Sequence, residues 1–154
     1  MSTPFDRAVA VAREHHGGQT DKIGRPYIEH PLAVAALLSD EDDRIVAVLH
    51  DILEDTDCPP DLLAELFGEE VLDDVLALTH LPEESRVDYL HRILARGGRA
   101  VRVKKADIRH NTDPARLDLL DDPTRRRLLQ KYRESAALLG TSLEAIHGPE
   151  VIHG

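Results

Sequence analysis

The sequence predicts an all-α protein, a bundle of about seven to eight helices, and three observations carry the prediction. Apolar residues recur at helical spacing in several segments. The core must be aliphatic, since the 154 residues include no Trp, three Tyr and two Phe. No internal repeat, low-complexity tract or long Pro/Gly/Ser linker interrupts the chain, which has the length of a single domain, 1–154, able to bury roughly two-thirds of its unfolded surface.

The first helix is expected over about Asp6 to His15, with Pro4 just ahead of it and Gly17-Gly18 as a stop. A loop follows to Glu29. The second helix starts at His30-Pro31, where the missing proline N–H costs nothing, and continues through Leu32, Val34, Ala35, Leu37 and Leu38. The third spans about Asp42 to Leu53: Ile45, Val46, Leu49, Ile52 and Leu53 keep the helical spacing, and Asp42 and Asp43 suit its positive end. Shorter helices are expected at 60–67, 69–78 and 86–95. The stretch 100–107 alternates Val101 and Val103 with basic residues, a strand pattern in isolation, but its helical neighbours favour a helix. A long amphipathic helix over 123–139 places Leu128, Leu129, Tyr132, Ala136 and Leu139 on one side.

With 42% hydrophobic and 31% charged residues the composition is that of a globular protein, not a disordered one. The N-terminus lacks the basic and apolar regions of a secretory signal, and no run approaches a membrane span, so a cytoplasmic protein is expected. A net charge of −10 disfavours nucleic acid and anionic membrane as partners. Oligomeric state is open. Cys58, beside Pro59 and Pro60, reads as a loop residue without an internal disulfide partner. Two basic groups stand out against the acidic background. Arg99, Arg102, Lys104, Lys105 and Arg109 surround Asp107 and can meet phosphates, whereas Arg125, Arg126, Arg127, Lys131 and Arg133 read as a solvated helix face.

The sharpest chemical signal is His50-Asp-Ile-Leu-Glu-Asp-Thr56, a burst of polar groups at the end of an apolar helix. Burying such groups unpaired is costly, and a divalent cation compensates directly, because imidazole and carboxylate both ligate Mn2+, Fe2+ or Zn2+. The bland alternative is a helix end facing water. His30 opens the preceding helix, and antiparallel packing of two consecutive helices sets the start of one beside the end of the next, bringing His30 to His50 and Asp51. A third polar burst, Ala106-Asp-Ile-Arg-His-Asn111, supplies Asp107.

This order of residues resembles the H…HD…D signature of HD-domain phosphohydrolases, a family of helical bundles. The words around it are similar to those of the RelA/SpoT-type alarmone hydrolase domain: Gly24-Arg-Pro-Tyr-Ile-Glu-His-Pro31, His50-Asp-Ile-Leu-Glu-Asp-Thr56, Val103-Lys-Lys-Ala-Asp-Ile-Arg-His-Asn111, Phe67-Gly-Glu-Glu-Val71 and Leu78-Thr79. The likeness runs from about residue 5 to 139. It implies one metal ion, typically Mn2+ though another divalent cation would serve, held by His30, His50, Asp51 and Asp107. It implies Glu54 and Asp55 as the acids that position and deprotonate water, Asn111 at the ribose and Lys22 at the base. Lys104 and Arg109 are the further candidates for phosphate. Asp21 departs from the family's basic pair, removes a guanidinium that could stack on a base and would repel phosphate, which leaves the nucleotide's identity open.

The implied function is hydrolysis of the 3′-pyrophosphate of guanosine tetra- or pentaphosphate to GDP or GTP and pyrophosphate, by a stand-alone small hydrolase without an attached regulatory region. Two alternatives remain: the same chemistry on another nucleotide or nucleotide cofactor, and a non-catalytic nucleotide-sensing module. His15, His16, His80, His91, His110, His147 and His153 are expected to be surface or structural residues.

Overall fold

The computed structural model describes residues 2–148. Among the described residues eleven helices form: α1 Pro4–His16, α2 Glu29–Ala36, α3 Glu41–Leu49, α4 Ile52–Asp55, α5 Pro60–Phe67, α6 Glu69–Ala77, α7 Arg86–Arg96, α8 Gly98–Asn111, α9 Pro114–Leu117, α10 Asp122–Leu138 and α11 Leu143–Ile146. Three of them, α4, α9 and α11, are single turns of four residues. The eight longer ones are the expected bundle, and the ambiguous stretch 100–107 lies inside α8. Among the described residues the sole strand-like feature is an isolated bridge between Thr20 and Pro26. No described helix is long and apolar enough to cross a membrane. His153 falls outside the described residues.

Capping explains where several helices begin. Thr3 and Asp6 form a reciprocal capping box, so Pro4 is the first residue of α1 and not a residue ahead of it. Asp40, Ser85 and Asp121 accept the Asp43, Asp88 and Thr124 N–H groups and start α3, α7 and α10.

Helix α3 is the centre of the core. Val46, Ala47, Val48 and Leu49 are fully buried, and α1, α2, α6 and α8 pack around them. The start of α2 lies beside the end of α3, as antiparallel packing requires, with the His30 and His50 rings 5.6 Å apart. Helices α3 and α8 run the same way. Near their first turns Arg102 Nε donates to Asp43 at 2.6 Å, and near their last turns His50 Nε2 lies 3.3 Å from Asp107 Oδ1.

The third helix does not continue to Leu53. It stops at Leu49, Asp51 takes φ −101° and ψ 0°, and α4 begins afterwards. The cause is local: His50 Nδ1 lies 2.5 Å from the Ala47 carbonyl, the acceptor that a continuing helix would give to the Asp51 N–H. Ile52 remains fully buried beyond the break, so the apolar pattern reads straight through it.

Candidate metal centre

Four side chains meet where α2, α3, α4 and α8 come together. His30 stands in the first turn of α2, where Pro31 fits without loss, and His50 and Asp51 fill the break between α3 and α4. Asp107 faces them from α8. Its Oδ1 lies 2.9 Å from His30 Nε2 and 3.3 Å from His50 Nε2. Asp51 Oδ2 lies 3.2 Å from His50 Nε2 and 3.9 Å from His30 Nε2. His30, His50 and Asp107 are buried, and one ligand atom from each lies within 4.8 Å of the others.

The proton inventory of this cluster fits a cation. His50 donates its Nδ1–H to the Ala47 carbonyl, so in the neutral ring Nε2 carries the lone pair, and that atom faces two carboxylates. A lone pair opposite carboxylate oxygens is repulsive unless a positive charge lies between them. Burial opposes the imidazolium, yet the Asp51 and Asp107 charges raise the His50 pKa well above its ordinary value. A divalent cation supplies the same compensation with ligands it favours. The residues present therefore fit such an ion.

The surrounding groups orient the cluster. The Tyr27 hydroxyl donates to Asp51 Oδ2, and burial together with the Asp51 charge pushes its pKa up, keeping it a donor. Asn111 Nδ2 donates to Asp107 Oδ1 at 3.1 Å, and Lys104 Nζ pairs with Asp107 Oδ2 at 3.0 Å. Burial works against the Asp107 charge, but Lys104 and the two imidazoles hold its carboxyl well below the usual range. Glu54 accepts from the His80 N–H at 2.8 Å. His16 Nδ1 meets Gln19 Oε1 at 3.0 Å, and Gln19 Nε2 donates to the Asp55 carbonyl at 2.9 Å, which ties α1 to the end of α4. Burial, then the Asp51 charge, raises the Asp55 carboxyl; Glu54 is raised by burial against the opposing His80 bond.

The cluster opens into a cavity of about 600 Å³, within the range of small-molecule sites. Its lining includes His30, Asp51, Asp107, Glu54, Asp55, Lys22, Lys104 and Asn111, and His50 lies behind the wall in contact with Asp51 and Asp107. Arg109 is not part of the lining, and neither is Lys105. Lys104, Asp107 and Asn111 share one face of α8, whereas Arg109, two residues past Asp107, projects roughly 200° around the helix. Closeness in sequence to Asp107 is thus no guide to closeness in space. Conversely, Lys131 of α10 lines the cavity and departs from the solvated face expected for its group. Its neighbours Arg125 and Arg133 do lie outside, paired with Asp122 and Glu144.

Asp21 has a role that the sequence did not reveal. Its Oδ1 accepts from the Ile23 and Arg25 N–H groups at 2.9 and 3.0 Å, and its Oδ2 lies 3.5 Å from Arg116 Nη1. Gly24, at φ +90°, closes this turn in a conformation that side chains rarely adopt. Asp21 lines the cavity, but its carboxylate is spent on the loop and on Arg116 and is not a free charge. Tyr27, Arg116 and Gln19 carry no sequence signal that marks them for the site. His16 and His110, expected as surface or structural residues, lie at it, and His110 Nδ1 is 2.7 Å from His30 Nδ1. Burial, then the His30 charge, lowers the His110 pKa to about 4.

A family model described as an HD domain matches residues 8–106, more than half of the chain. The chain belongs to the HD domain family. Its HD pair is His50-Asp51, at the break between α3 and α4. A Synechocystis protein named "Probable guanosine-3′,5′-bis(diphosphate) 3′-pyrophosphohydrolase" is 35% identical over 151 residues, covering 89% of this chain and 20% of its own. A Myxococcus xanthus protein named GTP pyrophosphokinase is 32% identical over 154 residues, with the same coverage of 89% and 20%. This HD chain thus spans about a fifth of the length of these curated relatives. A solved structure described as a metazoan ortholog of SpoT that hydrolyzes ppGpp superposes with a TM-score of 0.78 at 23% identity, covering 99% of this chain and 98% of that one, and shows the same fold.

Proposed function

We propose that this HD protein is a metal-dependent phosphohydrolase that removes the 3′-pyrophosphate of guanosine tetra- or pentaphosphate, with Mn2+ as the resident ion. The observation that carries the reading is the charge of the cavity above the His/Asp cluster. Lys22, Arg86, Lys104, Arg116 and Lys131 all line it. Lys22 and Lys131 make no ion pair among the described residues. Burial, then the nearby Lys104 and Lys22 charges, lowers the Lys131 pKa. Two lysines without carboxylate partners, beside three paired cations, suit an anion carrying several charges, and a nucleotide polyphosphate supplies them.

In this reading His30, His50, Asp51 and Asp107 hold the cation. When bound, it supplies Lewis acidity to phosphoryl oxygens and lowers the pKa of water from about 15.7 toward 7. Glu54 and Asp55 stand beside the cluster with proton affinities raised by burial, which suits them to hold the attacking water and take one of its protons. The water oxygen bonds to the phosphorus attached at the 3′ oxygen, that P–O bond breaks, and the 3′ oxygen leaves with a proton. Lys104 and Lys131 offset charge on the pyrophosphate. Asn111 takes the ribose and Lys22 the base. Arg116, anchored by Asp21, offers from α9 the planar guanidinium that the family's basic pair would otherwise provide.

One relative's name supports this substrate and the other names a pyrophosphokinase, so the test is chemical. Mn2+-loaded protein is incubated with a nucleotide panel, and the products are separated. Equal amounts of pyrophosphate and GDP from guanosine tetraphosphate are expected. Cleavage of another nucleotide with none of this one would replace the substrate and keep the chemistry. Binding of nucleotides without turnover would point to a sensing module.

A further inference from the structure

His110 turns its ring against His30 from the next turn of α8 after Asp107. The rings stack with centroids 4.9 Å apart and planes 30° from parallel, and the two Nδ1 atoms are 2.7 Å apart. Ring nitrogens at that distance share one proton, because two lone pairs or two N–H groups would repel. A neutral histidine that presents Nε2 to a cation must carry its proton on Nδ1, and something must accept that N–H. For His50 the acceptor is the Ala47 carbonyl. For His30 the atom in the corresponding place is His110 Nδ1.

We propose that His110 is a positioning residue: by accepting the His30 Nδ1–H it fixes the ring and the tautomer that turn Nε2 toward Asp107 and His50 to ligate a divalent cation. The inference rests on the metal reading given above. Helix geometry makes the arrangement economical. Asp107, His110 and Asn111 lie at i, i+3 and i+4, so one turn of α8 provides a carboxylate, the group that orients the neighbouring histidine, and an amide that donates to that carboxylate.

The test compares His110→Leu with His110→Asn. The two side chains have the same shape and both remove the stacked ring, but only Asn keeps an acceptor, its Oδ1, where Nδ1 stood. Mn2+ is titrated into the metal-stripped chain and its dissociation constant is measured, alongside the melting temperature of each stripped variant. The Leu variant should bind Mn2+ about 10- to 100-fold more weakly, the effect of losing a partner behind a ligand, while Asn recovers most of the loss at a similar melting temperature. Should the Leu variant not fold, His110→Phe serves as the second variant without an acceptor. Equal Mn2+ affinity for the Asn and non-acceptor variants overturns the role of His110 and leaves the metal reading intact. A native chain that takes up no Mn2+, Fe2+ or Zn2+ overturns both.

Discussion

Helices α3 and α8 bury carboxylates at both ends of their contact, and the two ends differ in how the charge is met. At the early end Asp43 is 2% exposed, and Arg102 holds its two oxygens at 2.6 and 2.9 Å. Asp74 of α6, equally buried, takes Arg96 and Arg99 at 2.8 and 2.9 Å. Each acid there meets a fixed cation whose head stays partly in water, so the set is closed and needs nothing further. At the late end Asp51 and Asp107 meet two imidazoles, and the one permanently charged partner bonded to either is Lys104. That set has more acceptors than donors. Burial of charge alone therefore does not mark a site; a buried set whose donors fall short of its acceptors does.

Changes at the two ends should therefore have different effects. The largest is expected at the late end, where Glu54→Gln or Asp55→Asn should lower kcat by two or more orders of magnitude with the cation retained, the size of a lost general base. Steady-state rates beside metal analysis check this, and near-native turnover in both variants would require another water-activating group. The same carboxyls set the pH dependence. Both have raised pKa values, so as pH falls they protonate before an ordinary carboxylate would, and the acid limb of the native rate profile should lie above the usual carboxylate range.

At the early end, Asp43→Ala should cost about 2 kcal/mol, roughly 30-fold in the folding equilibrium, while metal content and kcat stay native. The figure is kept below that of a fully buried pair because the Arg102 side chain is 35% exposed and is rehydrated in the variant. Denaturant unfolding measures it, and loss of metal from a folded Asp43 variant would erase the distinction between the ends. Smaller again, Lys131→Ala should raise KM about 10-fold with kcat little changed, the mark of lost ground-state binding to phosphate. An unchanged KM at low ionic strength would return Lys131 to the solvated face.

Much of this was legible in the sequence because it depends on local chemistry. Helix periodicity and stop signals placed most of the long helices, the helical neighbours of 100–107 decided α8, and the words around His30, His50 and Asp107 named the cluster before any distance was known. What stayed hidden was set by tertiary contacts or by helix phase. The break at His50-Asp51 leaves no trace in an apolar pattern that Ile52 continues. Arg109 and Lys131 exchanged their expected places because position around a helix, not closeness along the chain, decides what faces a cavity. Asp21 reads as a repelling charge until Arg116, 95 positions away, is brought beside it. The α9 and α11 turns are too short to carry a period, although Asp113 and Ser142 cap them.

The most direct measurement is the metal stoichiometry of three purified chains by elemental analysis. One ion per chain is expected for the native protein and for Asp43→Ala, and none for Asp107→Ala, since removing that carboxylate takes away the atom on which both histidines converge. A stoichiometric ion retained in folded Asp107→Ala and Asp51→Ala would contradict the assignment of the late end of α3 and α8 as the metal centre.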